Sequence, residues 1–260
     1  MADDVVVRPL ESLDDARAAS ELIDQIWGEH RVMGAPLLRA MATHGGQVLG
    51  AFLDDRMVGA QAGLVGIVAG RPILHSHITG VDESVQHRGV GFLLKVAQRE
   101  WCLERDIEVV TWTFDPLVAR NARFNLHKLG GIAERFHHDY YGPMNDAFNR
   151  GDRSDRLEVR WELTSERVAA AIRGEAEDPD ATGARLLVDD DDGKPWLDVT
   201  ADGPRLLVRV PPDYHELRGR DRDLADEWRT AVGDALQSAT ARGFVARGFL
   251  REGTYVLEAA

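Results

Sequence analysis

Ile73-Leu74-His75-Ser76-His77-Ile78-Thr79-Gly80-Val81 runs into Asp82-Glu83-Ser84-Val85-Gln86-His87-Arg88-Gly89-Val90-Gly91, and the pattern changes where they meet. The first segment is short and rich in β-branched residues, as a strand is. After Gly89 the apolar residues Val90, Leu93, Leu94, Ala97 and Trp101 recur at i, i+3, i+4, i+7 and i+11, one face of an α-helix. Two glycines occupy the turn between, and glycine lets a backbone approach a ligand closely. The first turn of a helix leaves amides unpaired and carries partial positive charge. With Arg88 adding a mobile cation, the segment suits a pyrophosphate.

Two common nucleotide loops are excluded. A Walker loop needs Gly-Lys-Ser/Thr, which is absent, and a dinucleotide fingerprint needs a third glycine where this chain has Leu94. Gln86-x-x-Gly89-x-Gly91 instead resembles the acyl-CoA loop of the GNAT N-acyltransferase superfamily. The surroundings resemble it too. A strand ends at Val81, an amphipathic helix follows, and Ile107–Phe114 reads as a further strand. Ala122 and Lys128-Leu129-Gly130 resemble the helix that closes the family's CoA site. The likeness covers residues 5–163 in element order and 73–130 in specific motif residues.

The resemblance implies an α/β (α+β) GNAT fold, with a mixed, mostly antiparallel sheet splayed at the acyl-CoA site. Acyl-CoA, from acetyl-CoA or succinyl-CoA, would lie between Ile73–Val81 and Ile107–Phe114. Its pantetheine would pair with Thr79, Gly80 and Val81. Its pyrophosphate would sit on the loop of Gln86, His87, Arg88, Gly89, Val90 and Gly91. Asn121 and Asn125 sit near the family's CoA-contacting asparagine, whose own place holds Ala119. Leu126 stands where a tyrosine often serves as acid, so the leaving-group acid is unassigned. Tyr140 and Tyr141 are candidates, against ordinary packing at a sheet edge.

The acceptor amine would attack the thioester directly, which needs a base. His75 lies six positions before Val81 and His77 four. The serotonin-acetylating relatives carry histidines at both offsets, which makes His75 and His77 the catalytic candidates. An ordinary imidazole, with a pKa of about 6.5, suits that task. Strand alternation predicts His75, His77 and Thr79 on one face. The rival readings of the pair are a metal site and plain packing.

Other features are blander. Asp189 to Asp192 followed by Gly193-Lys194 looks like part of a calcium loop, but Val188 occupies the first ligand position, and a solvated hairpin turn is expected. Arg153 or Arg156 is a candidate for holding a carboxylate. Asp115-Pro116 reads as the start of a helix. Helices are also expected over Leu13–Trp27 and Asp221–Ala241, and a strand over Leu157–Leu163. Residues 173–184 have almost nothing to bury, which predicts a linker. The division expected is a GNAT domain over 1–163 and an α+β accessory domain over 164–260.

Hydrophobic residues make up 44% of the 260 and charged residues 29%, enough for a packed core. Thirty-one basic against 44 acidic side chains give a net charge of −13, which argues against nucleic-acid and membrane-surface partners. Cys102 is the single cysteine, so no intramolecular disulfide forms. Met1 to Asp15 is acidic and lacks an apolar run, so a cytoplasmic protein is expected. A small-molecule amine is the expected acceptor, no metal is expected, and a homodimer is allowed. The rivals are a non-catalytic acyl-CoA-binding protein and a protein-lysine acetyltransferase.

Overall fold

The computed structural model describes residues 4–28, 32–144, 146–147, 149 and 151–260. Its contacts gather into two compact units, Met1–Trp112 with Asn145–Phe148, and Thr113–Met144 with Asn149–Ala260.

The first unit runs β1 (Val5–Pro9), α1 (Leu13–Trp27), α2 (Ala35–Thr43), β2 (Gln47–Leu53), β3 (Arg56–Val68), β4 (Arg71–Val81), a 3-10 turn (Glu83–Arg88), α3 (Val90–Leu103) and β5 (Val109–Phe114). The last two residues of β5 count with the second unit. Strands β1 to β4 pair in succession and antiparallel, and β5 runs parallel to β4. Ser12 caps α1 by accepting from the Asp15 amide, and the Asp15 carboxylate accepts from the Ser12 amide in return. Hydrogen bonding from Arg8 holds the Asp15 carboxyl down at about 2.

Helices α1 and α2 bury Ala16, Ala19, Leu22, Ile23, Leu38 and Met41 against Val48, Ala60, Ala62 and Ile78. Helix α3 lies on the opposite face, packing Val90 and Leu94 on Leu49, Ala51 and Val58. The buried side of α3 differs from the expected stripe. Val90, Leu94, Lys95, Gln98 and Cys102 are buried, while Leu93, Ala97 and Trp101 are only partly so. The buried row steps by four residues and takes in two polar side chains. Past Gly63 the β3–β4 hairpin becomes an exposed arm that carries Leu64, Val65, Ile67 and Val68.

The second unit contains α4 (Ala119–Arg123), a π-helical turn (Phe124–Lys128), β6 (Ile132–His137), β7 (Arg156–Glu162), α5 (Glu166–Ile172), β8 (Arg185–Asp191), β9 (Lys194–Leu197), β10 (Arg205–Arg209), α6 (Tyr214–Arg220), α7 (Arg222–Ala241), β11 (Phe244–Leu250) and β12 (Thr254–Ala259). Its strands lie in the order β7-β6-β11-β12-β10-β8-β9. Strand β11 reaches β6 at Ala246↔Ala133, so the expected boundary at 163 and 164 falls inside this unit. Arg173 to Ala184 forms neither helix nor strand. The acidic run is the turn of the β8–β9 hairpin, with Asp192 and Gly193 at φ 54 and 85. Asp115-Pro116 does not open a helix. Asp115 accepts from the Leu117 amide in a local turn, and α4 begins at Ala119.

The Asp115 carboxylate also enters an ion network. Arg229 of α7 reaches Asp115 at 2.8 Å and Asp152 at 3.4 Å, and donates to the Tyr214 hydroxyl at 3.0 Å. Asp152 also meets Arg218 and Arg222, at 2.8 and 3.1 Å. Arg229 and Asp152 are both buried. Removing one partner of a buried pair strands the other charge. Arg229→Met is expected to lower the unfolding free energy by about 3 kcal/mol or more, read by urea denaturation. Loss within the ±0.5 kcal/mol of a surface change would show the network to be energetically idle.

Candidate functional site

Strands β4 and β5 part almost as soon as they meet. Their ladder holds Leu74↔Val110 and His75↔Thr111. Beyond His75, β4 keeps β3 as a partner up to Gly59↔Val81. No further β4–β5 pair occurs among the described residues. Ser76 to Val81 therefore present an edge on which an extended, amide-bearing ligand can pair. This edge is held closely from behind. A Cβ on Gly80 would come within 2.6 Å of the Trp27 ring and 2.9 Å of Ile26, so only glycine lets α1 approach here.

The turn after β4 is tied down by Asp82. Its carboxylate accepts from the amide and hydroxyl of Ser84, at 2.9 and 2.7 Å, and pairs with Arg56 at 2.6 Å. The Ser84 hydrogen bonds, then Arg56, hold the Asp82 carboxyl below the usual range. The 3-10 turn ends at Gly89, whose φ of 77 is left-handed, and the same residue begins α3. No side chain caps α3, and the space beside Gly89 is open. Gln86, His87 and Arg88 are exposed around it. An uncapped helix start with an open glycine and a nearby arginine can receive an anion.

His75 is half-buried, with Nδ1 3.3 Å from the Thr111 hydroxyl across the fork. The His77 ring lies 6.2 Å from it, centroid to centroid. His77 is exposed as a residue, yet desolvation holds its imidazole below the ordinary range. Thr79 does not share their face. Ala62 pairs with Ile78 and Gly63 with Ser76, so His77 is an extra residue in a β-bulge. The bulge shifts the alternation. Ser76 and Thr79 both meet Gln61, at 3.4 and 3.1 Å.

Ser76 belongs to a buried polar cluster absent from the sequence reading. Its Oγ is 2.9 Å from Lys95 Nζ and 3.2 Å from Gln98 Nε2. Lys95 also donates to Gln98 Oε1 at 3.0 Å and lies 4.0 Å over the Trp112 ring of β5. Gln98 donates to Gln47 at 2.7 Å. A detectable signal existed. The chain uses arginine almost throughout, with three lysines among 31 basic side chains, and one sits inside the buried stripe of α3.

The remaining candidates belong to the second unit. Asn121 is exposed on α4. Asn125 is buried in the π-helical turn, and its backbone carbonyl accepts from the Gly131 amide at 3.0 Å. Tyr141 is exposed, with its hydroxyl 3.1 Å from Thr113 Oγ1, and Tyr140 stacks edge-on against it. His137 pairs with Glu158 at 2.7 Å. Arg153 is engaged by Asp155, and Arg156 by Asn149 and the Asp155 carbonyl. Among the described residues no group of three or more His, Cys, Asp or Glu is placed to hold a metal ion, and no helix is long and apolar enough to cross a membrane.

Losing a helix-capping side chain costs about 1 kcal/mol. Asp82→Ala should therefore raise the exchange of the Glu83–Arg88 amides about fivefold, read by hydrogen exchange. Unchanged exchange would show that Arg56 and Asp82 do not anchor the turn.

No protein-family model matches this sequence, and no curated protein aligns with it significantly. Solved structures do match. The chain is similar to a GNAT-family acetyltransferase from Streptococcus pneumoniae, at 13% identity and a TM-score of 0.50, over 60% of this chain and 98% of that one. It is also similar to the ribosomal-protein-S18-alanine N-acetyltransferase from Escherichia coli, at 15% identity and a TM-score of 0.47, over 62% and 95%. A third match is an aminoglycoside acetyltransferase from an uncultured soil metagenomic sample, at 18% identity and a TM-score of 0.40, over 44% and 79%.

Proposed function

We propose that this chain, whose fold is that of the GNAT acetyltransferases, moves an acyl group from acyl-CoA to a primary amine by direct attack. The observation that carries this reading is the parting of β4 and β5 beside an uncapped helix start. A strand edge and a helix start without a side-chain cap lie at the two ends of one turn. That pairing of features suits a ligand with an amide-rich arm and a pyrophosphate. CoA has both.

In this reading Thr79, Gly80 and Val81 take the pantetheine on their backbone, and the amides from His87 to Gly91 take the pyrophosphate. The thioester then sits near His75 and His77. His75 removes a proton from the acceptor ammonium, and the freed amine attacks the carbonyl. The thiolate leaves as the tetrahedral adduct collapses. His77, whose imidazole desolvation holds below the ordinary range, is the second imidazole behind it. Acetyl-CoA and succinyl-CoA are the acyl donors to test, with free amino acids first among acceptors. Asn121 and Asn125 are proposed as further CoA contacts.

Thiol release from acetyl-CoA and succinyl-CoA, measured with pooled amines, tests the reaction. Binding without turnover would favour an acyl-CoA sensor. Acylated lysines in a co-incubated lysate, without small-molecule products, would favour a protein acetyltransferase. Gly89→Glu puts an anion where one is to bind, and it should weaken acyl-CoA binding at least tenfold while the fold survives. Unchanged affinity in the folded variant refutes the loop assignment. His75→Ala should lower kcat about a hundredfold, within the usual range for a general base, and leave acyl-CoA affinity near wild type. A variant with wild-type kcat would place the base elsewhere.

A further inference from the structure

Lys95 stands at the point where β4 and β5 separate. The last paired residues are His75 and Thr111. The next residue on each strand, Ser76 and Trp112, is gripped by Lys95, at 2.9 Å to the hydroxyl and 4.0 Å to the ring. Lys95, Ser76 and Trp112 are all buried. Among the described residues no carboxylate pairs with the lysine. Its neighbours are Gln98 on its own helix, Ser76 on β4 and Trp112 on β5, with Gln61 of β3 and Gln47 of β2 completing the cluster. Among the described residues the titratable group that acts on it is the Cys102 thiol, which burial pushes up to about 12 and so keeps neutral.

The surroundings decide the charge of Lys95. Among the described residues its partners are all neutral, and a buried ammonium there would go uncompensated. A neutral amine keeps each contact. One N–H goes to Gln98 Oε1, the lone pair is placed to accept the Ser76 proton, and the other N–H lies over Trp112.

We propose that Lys95 is held as a neutral amine that accepts a hydrogen bond from Ser76, and that this pair fixes the fork of β4 and β5, which makes Lys95 a positioning residue for acyl transfer. The role in transfer rests on the acyltransferase reading of the same site; the charge state does not. Desolvation holds the lysine down at about 7. Arginine could not serve, because a guanidinium does not deprotonate in a protein. A buried amine with no counter-charge breaks a packing rule, and residues of that kind mark functional sites.

The sign of the linkage is fixed. An unfolded lysine titrates near 10.4, and the folded one is depressed. Stability is full above the unfolded value and is lost as pH falls towards about 7. Lys95→Met should remove that slope.

The test uses the whole protein labelled with [15N]lysine, in which only three side chains report. One signal, lost in Lys95→Met, should titrate near pH 7, while the other two stay ammonium beyond pH 9. In Lys95→Met, kcat for acyl-CoA should fall about tenfold to a hundredfold. At acid pH the wild-type log kcat should fall with a slope of two, one proton on His75 and one on Lys95, and Lys95→Met should reduce it to one. Should Lys95→Met fail to fold, Ser76→Ala takes its place, and it should move the lysine midpoint and lower kcat. A Lys95 signal that stays ammonium to pH 9 overturns the proposal. Wild-type kcat and an unchanged acid limb in Lys95→Met overturn its positioning role. If the wild type turns over no acyl thioester while Lys95 titrates as described, the acyltransferase reading fails and the neutral pair stands.

Discussion

Two parallel strands that share only two residue pairs are an unusual way to build a sheet, because each unpaired amide left in a protein must find another partner. In this chain the separation of β4 from β5 after His75 and Thr111 is the constraint from which the other local features follow. The β-bulge at His77 puts Thr79 on the side of Ser76, where both meet Gln61, and the His75 and His77 rings lie 6.2 Å apart. Gly80 lets α1 press against the back of β4. Asp82 and Arg56 secure the turn that carries the chain to Gly89 and α3. An edge that stays open has to be held from every other side.

The molecule buries cations in two different ways, and the contrast is informative. Arg229 sits among Asp115, Asp152 and Tyr214, so its charge is compensated and its role is to hold the second unit together. Lys95 sits among glutamines, a serine and an indole, with no anion. A charge there has no compensation, which is why the amine form is favoured. The first arrangement suits the always-charged guanidinium. The second suits the one cationic side chain that can give up its proton near neutrality when buried.

Much of the fold was legible because it is written in local periodicity and turn chemistry. Ser12 before Leu13–Trp27, the strand ending at Val81 and the two glycines at 89 and 91 each carry their structure within a few residues. The positions that escaped prediction depend on distant partners. Asp115 looks like a helix cap, yet its carboxylate closes a local turn at Leu117 and meets Arg229, far along the chain. The stripe of α3 looks like Leu93 and Trp101 until the sheet against it selects Gln98 and Cys102 instead. Thr79 leaves the histidine face because a bulge, invisible to strict alternation, adds one residue to β4.

By itself the sequence determined where β4 ends, where α3 begins and where the glycine turn lies between them, and its resemblance to the GNAT superfamily pointed to the class of fold and to the two histidines. The local features follow from side-chain period and from the backbone freedom of glycine, which act over a few residues. Only the tertiary structure decided where β4 and β5 part, which side chains meet at that point, and that Lys95 lies between them without a counter-charge. Burial and the distance to the nearest anion set the charge of a lysine, and neither exists until the helix is packed on the sheet.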